Sequence, residues 1–156
     1  MNTETIKTAD KPTQGFEICH DVYIKASQKA VFDAVSLPAH LVNWWPNKCV
    51  GEPAQGTVYN FYFTPEYDWQ AEVTKCEPNR SFYLKMTKAD ADWVPTSLGF
   101  DMIESKEGEV QLKFWHKDWL ARNDHFRRSS FCWAILLHGL KNYLEQGIVV
   151  PFEERE

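Results

Sequence analysis

The chain has 156 residues, enough for one domain with a sizeable core, and its apolar fraction of 44% is ordinary for a globular protein. Its net charge of −5 argues against nucleic acid and against an anionic membrane surface as partners. Aromatic residues reach 15%, with seven tryptophans, so flat rings are abundant enough to fill a core or to line a pocket.

The first predicted elements are a strand and two short helices. Alternation in the strand places a set of mostly apolar residues on one face: Phe16, Ile18, His20, Val22 and Ile24. Ser27 occupies the position of an N-cap, which predicts a short helix at 30–35. Pro38 opens a second short helix at 39–45, and a proline ends it.

A series of further strands follows, separated by turn residues such as Pro78 and Gly108. Each strand alternates, and these residues are predicted to face one side of the sheet: Tyr59, Phe61, Phe63, Trp69, Ala71, Val73, Phe82, Leu84, Met86, Leu98, Phe100, Met102, Val110, Leu112, Phe114 and His116. Hairpin-length spacing predicts an antiparallel meander.

The last predicted element is a helix from about 124 to 146, with Gly147 placed to cap its C-terminus. Its apolar stripe consists of Phe126, Ser130, Trp133, Ala134, Leu137, Leu140 and Leu144. Phe131, Ile135 and His138 widen that stripe, so we expect the middle of the helix to be largely enclosed.

These elements predict one α+β domain over 16–150, preceded by a flexible polar tail at 1–15. A curved antiparallel sheet of about six or seven strands must bury its apolar face, and only the C-terminal helix is large enough to cover it. Because a single helix does not fill the concavity of such a sheet, we expect a cavity between the two.

Several segments resemble the START-like (SRPBCC) superfamily, and within it the activator of heat-shock-protein ATPase homologue family. They are 26–27, 31–34, 37–45, Gly56 before an aromatic strand, 69–73, 77–80, 110–116 and 118–119. The resemblance spans about 16–147 and implies a helix-grip fold. It also implies a stand-alone, bacterial-type member, since about fifteen polar residues precede the first strand, where eukaryotic members carry a chaperone-binding domain.

Candidate ligand contacts are the inward-facing rings and apolar side chains His20, Trp44, Trp45, Phe61, Phe63, Trp69, Phe100, His116, Trp133 and Leu137. The alternative for the aromatic residues is plain core filling. His20 and His116 either orient a hydroxyl or carbonyl group of a ligand, or are satisfied core histidines. Arg127 and Arg128 either reach an acidic ligand or face water.

No catalytic residue, metal site or cofactor is predicted, because the sequence has no nucleophile elbow, phosphate loop or closely spaced cysteine pair. The four cysteines lie far apart and are expected to be reduced thiols in a cytoplasmic protein. The most apolar run, 130–140, is too short to cross a bilayer.

Three functions remain open at this point. The first is binding of a small apolar or aromatic ligand in the cavity, without turnover. The second is a cyclase-type or hydrolase-type enzyme with His20 or His116 as base. The third is an interaction protein that modulates a chaperone ATPase, since the superfamily hosts all three. The chain is expected to be a monomer or a homodimer.

Overall fold

The computed structural model describes residues 15–155, so residues 1–14 of the predicted tail lie outside the described part. The strands form one seven-stranded antiparallel sheet in the order β1-β7-β6-β5-β4-β3-β2. In chain order the elements are β1 (Phe16–Ile24), α1 (Gln28–Ser36), α2 (Pro38–Leu41), β2 (Lys48–Val50), β3 (Val58–Thr64), β4 (Tyr67–Glu77), β5 (Ser81–Lys88), β6 (Ser97–Lys106), β7 (Glu109–Trp119), α3 (Asp124–Gln146) and a 3₁₀ turn (Phe152–Glu154).

Helix α3 begins and ends where the sequence predicts. The side chain of Asn123 accepts a hydrogen bond from Phe126 N at 3.0 Å, which caps the first turn. Gly147 adopts the left-handed conformation with φ of 71°, and its N–H bonds to Tyr143 O at 2.9 Å. A side chain with a Cβ is strained at that φ, so glycine is the residue that ends this helix most easily.

The buried face of α3 is narrower than predicted. Its fully buried residues are Ser129, Trp133, Leu137 and Leu140. Ala134 and His138 are exposed, and Phe131 keeps 68% of its surface exposed, so the prediction that the middle of the helix is enclosed is wrong. The physical reason is that the sheet covers one side of α3, and the opposite side faces solvent.

Strand alternation is confirmed along the concave face of the sheet. The buried side chains there are Tyr59, Phe61, Ala71, Val73, Phe82, Leu84, Met86, Leu98, Phe100, Met102, Val110, Leu112, Phe114 and His116. Together with Trp133, Leu137 and Leu140 of α3 they form the hydrophobic core. The sheet curved around one long helix is the helix-grip arrangement, as predicted.

Two local predictions differ from the structure. The second short helix ends at Leu41 and continues as turns, in which Trp44 is buried and donates from Nε1 to Ala34 O at 2.8 Å. Strand β2 was not predicted. It has three residues, lies at the sheet edge and buries only part of Cys49, so it is too short to show an alternating pattern.

Hydrogen bonds fix α3 along the edge strand β1 and against the short helices. His20 Nε2 lies 3.1 Å from Ser130 O, and Lys25 N donates to Glu145 Oε2 at 2.7 Å. At the same C-terminal end of α3, His40 Nδ1 lies 2.7 Å from Tyr143 Oη. These bonds hold α3 beside β1 and α2.

Trp133→Ala should lower the free energy of unfolding by about 3–5 kcal/mol, because a large buried ring is lost and a cavity is left. Trp133 is 1% exposed, and its Nε1 also bonds to His116. Phe131→Ala is the matched control on the solvent side of the same helix, with an expected loss below about 0.5 kcal/mol. Chemical denaturation measures both, and similar losses in the two variants would contradict this packing.

Candidate functional site

A cavity of about 560 Å³ lies between the first half of α3 and the strands β3 and β4. This volume is within the range of small-molecule sites. Its wall consists of Trp45, Phe63, Thr64, Tyr67, Trp69, Asp90, Trp93, His125, Arg128, Ser129, Cys132, Trp133, Leu136, Phe152 and Arg155. Aromatic residues from the sheet, the loops, the helix and the C-terminal segment thus share one space.

Five of the wall rings contact one another in a closed circuit. Trp69 lies 4.7 Å from Trp93 and 5.3 Å from Phe63, measured between ring centroids. Trp45 lies 6.0 Å from Phe63 and 5.0 Å from Trp133. Trp133 closes the circuit by stacking on Trp93 at 6.2 Å. These separations are those of favourable aromatic pairs. We call these five residues the aromatic circuit.

Trp93 enters the circuit from the loop between β5 and β6. Two backbone hydrogen bonds stabilise the turns of this loop, from Trp93 N to Asp90 O at 2.9 Å and from Thr96 N to Trp93 O at 2.8 Å. Trp93 is 7% exposed, yet its Nε1 has no hydrogen-bond partner among the described residues. Thr64 Oγ1, at the end of β3, also lacks a partner among the described residues. An unpaired buried group of this kind costs roughly 1–3 kcal/mol.

His116 is fully buried and has both ring nitrogens engaged. The indole of Trp133 only donates, so its 3.1 Å bond makes His116 Nδ1 an acceptor. The neutral ring then carries its proton on Nε2 and donates to Thr96 Oγ1 at 2.9 Å, while the Thr96 hydroxyl donates to Trp93 O at 2.6 Å. Burial, with a smaller contribution from nearby His125, lowers the pKa of His116 to about 3.

The cavity wall includes some of the predicted ligand contacts: Trp45, Phe63, Trp69 and Trp133. Others are buried core residues outside the wall: Trp44, Phe61, Phe100 and Leu137. Neighbouring rings cover them, since Trp45 lies over Phe61 at 4.7 Å and Trp44 packs edge-on against Phe100 at 6.2 Å. The sequence shows that a side chain faces inward, but not whether another ring lies over it.

The two predicted histidines also lie outside the wall. His116 belongs to the core, where its hydrogen bonds to Trp133 and Thr96 leave no ring nitrogen for a ligand. His20 does point toward α3, but its Nε2 contacts the backbone oxygen of Ser130. Both placements correspond to the satisfied-histidine alternative.

Several wall residues were missed at the sequence level. Trp93 had a detectable signal, because a large apolar ring in an otherwise polar loop is unusual. Ser129, Cys132 and Leu136 recur at helical spacing beside Trp133, but they were not assigned to a site. Phe152 and Arg155 follow the helix without any periodic pattern, and they lie beyond the predicted domain boundary at 150.

Arg155 ties the C-terminal segment to the cavity. Its Nε donates to Val150 O at 2.9 Å, and its Nη1 donates to Trp45 O at 3.3 Å and Pro46 O at 3.2 Å. The guanidinium also lies 5.8 Å from the ring of Phe152. Partial burial lowers the pKa of Arg155 from its ordinary value, which is high enough for the side chain to stay charged.

Other kinds of site find little support in the described part of the chain. Within residues 15–155, no group of three or more His, Cys, Asp or Glu side chains could hold a metal ion. No helix in this range is long and apolar enough to span a membrane. None of the four cysteines, all of which are in the described part, forms a disulfide.

The model of the family described as "Activator of Hsp90 ATPase homolog 1-like protein" matches residues 25–145. The chain belongs to this family. The match to the Activator of Hsp90 ATPase homolog 1-like family includes strands β2 to β7 and almost all of α3, but neither β1 nor the C-terminal segment with Phe152 and Arg155. No curated protein matches the chain.

Solved structures agree with the fold described above. The Aha1 dimer from Colwellia psychrerythraea is 28% identical with a TM-score of 0.77, and the match covers 85% of this chain and 98% of that one. Protein SSP2350 from Staphylococcus saprophyticus is 18% identical with a TM-score of 0.73, covering 86% and 96%. CalU16 from Micromonospora echinospora is 17% identical with a TM-score of 0.70, covering 90% and 84%.

The His116 ring should stay neutral through the physiological range, so its NMR signals should not titrate between about pH 5 and 8. The unfolded chain takes up a proton at this residue below about pH 6.5, whereas the folded protein does so only near the lowered pKa of about 3. As the pH is lowered from about 6.5 towards 3, the free energy of unfolding should therefore decrease. His116 should contribute up to about 1.4 kcal/mol of this decrease per pH unit. A His116 ring that titrates near neutrality would contradict the hydrogen-bond assignment.

Proposed function

We propose that the chain binds a small molecule with a flat aromatic or apolar body in the cavity between α3 and strands β3 and β4. The aromatic circuit around a cavity of about 560 Å³ is the observation that carries this proposal. Rings arranged around a space offer faces and edges to a flat ligand, which gains contact area at little entropy cost to the protein.

Three rings of the aromatic circuit, those of Trp45, Trp93 and Trp133, are buried like core rings, but the two rings from the sheet are less completely covered. Phe61 and Phe100 are fully buried, as expected for close-packed core residues. Phe63 and Trp69 are only partly buried, and Tyr67 on the same wall is 44% exposed. The circuit therefore has apolar surface left for a further molecule to cover.

The hydrogen bonds of His20 and His116 disfavour the enzyme alternative in which one of them is the base. The enzyme alternative needs His20 or His116 as a base close to the ligand. His116 is engaged at both nitrogens and lies beneath the wall, while His20 contacts the backbone of α3. His125, the histidine on the wall, lies 3.3 Å from Asp92 through Nδ1.

The chaperone alternative rests on the description of the family, which names an activator of Hsp90 ATPase. Such a contact would use the outer surface of the domain, and it would not depend on the cavity. The Colwellia relative is a dimer, and a homodimer of this chain stays a prediction. Ligand binding is ranked first because the cavity is the feature with a specific geometry.

A substitution that fills the cavity tests the proposal. Cys132 lies on the wall, so Cys132→Phe should weaken binding of the neutral probe N-phenyl-1-naphthylamine by about tenfold or more. Ala134→Phe adds the same ring at an exposed position of α3 and should leave the affinity unchanged. Fluorescence titration measures both. The absence of saturable binding to the unmodified protein, or equal affinity of the two variants, would overturn the proposal.

A further inference from the structure

We infer that the ligand of this cavity carries a carboxylate on its aromatic body, an inference that rests on the proposed function and names its ligand class. Three features of the wall point to an anionic oxygen group. They are the excess of guanidinium groups over carboxylates, the fixed position of one guanidinium, and one buried indole N–H that lacks an acceptor.

The wall carries positive charge in a chain that is negative as a whole. Arg128 of α3 and Arg155 of the C-terminal segment both line the cavity, against one carboxylate, Asp90. The net charge of the chain is −5. The wall therefore has an excess of positive charge although the whole chain has an excess of negative charge. This local positive charge favours an anionic ligand, because the apolar walls of the site reduce screening.

Arg155 is held in place before any ligand arrives. Its bonds to three backbone oxygens, those of Val150, Trp45 and Pro46, use Nε and Nη1. Nη2 is the guanidinium nitrogen outside these bonds. A guanidinium fixed in this way loses little further freedom when it pairs with a carboxylate, so more of the interaction contributes to affinity.

The buried indole N–H of Trp93, a wall residue, lacks an acceptor among the described residues, and because the nitrogen itself is covered, a carboxylate reaches it only when the ring shifts. The buried indoles of Trp44 and Trp133, by contrast, both donate to protein acceptors. An indole N–H only donates, and an ionised carboxylate only accepts, at several lone-pair sites. Trp119 Nε1 is unpaired too, but Trp119 is not a wall residue, so the Trp93 N–H counts here because Trp93 shares the wall with the arginines.

A cationic ligand is the opposite reading, since aromatic rings and Asp90 could attract one. The described wall argues against it. A cation would face the guanidinium groups of Arg128 and Arg155, and it would leave the indole N–H of Trp93 without an acceptor. The like-charge repulsion and the unpaired donor both lower the affinity for a cation.

Calorimetric titration with 2-naphthoate and with its neutral amide, 2-naphthamide, tests the inference at low salt. The two probes share the ring and a carbonyl acceptor and differ in charge. We expect 2-naphthoate to bind about tenfold more tightly. Arg128→Gln should reduce this preference by about two- to fivefold. Arg127→Gln is the matched control, because it removes the same charge from the neighbouring exposed position outside the wall.

The outcomes separate the inference from the proposed function. Saturable binding of both probes with equal affinity would overturn the carboxylate and leave the aromatic ligand. A preference for 2-naphthoate that falls equally in Arg127→Gln and Arg128→Gln would come from the general field of the protein and would also overturn the inference. Binding of neither probe would overturn the proposed function itself, and the inference with it.

Discussion

The indole of Trp133 donates to His116, His116 donates to Thr96, and Thr96 donates to the backbone oxygen of Trp93. This buried chain joins helix α3, strand β7 and the loop before β6. The direction of each bond in it is fixed, because the indole cannot accept and the imidazole is neutral. The helix, the sheet and the loop are therefore fixed relative to one another where the cavity begins.

The cavity follows from that constraint. Trp133 is anchored on β7, and the space between the first half of α3 and strands β3 and β4 is bordered by Phe63, Trp69 and Trp45. The same series of hydrogen bonds holds the loop that carries Trp93, and Trp93 completes the aromatic circuit at one side. The C-terminal segment contributes Arg155 at another. Stability and binding geometry thus depend on the same residues, so substitutions of Trp133, His116 or Thr96 should affect both.

Long periodic segments made the fold predictable from the sequence. The stripe of α3, its cap at Gly147 and the alternation around Phe82 and Phe114 were enough to give the helix-grip arrangement. The cavity wall was only partly predictable, because curvature decides which inward rings lie beneath others. Phe61 and Phe63 have the same parity, yet one is core and the other is wall. Arg155 has no local signal, since its position comes from tertiary contacts with Trp45.

The indole N–H signals in ¹H–¹⁵N NMR spectra report most directly on whether the aromatic circuit is a binding site. Titration with 2-naphthoate should shift the Trp93 signal strongly, since Nε1 is unpaired and on the wall, and Trp93→Phe assigns it. The Trp115 signal should stay in place, because its Nε1 donates to Asp101 on the opposite face of the sheet. Saturable binding that leaves the Trp93 signal unmoved, or that shifts Trp115 instead, would contradict the account.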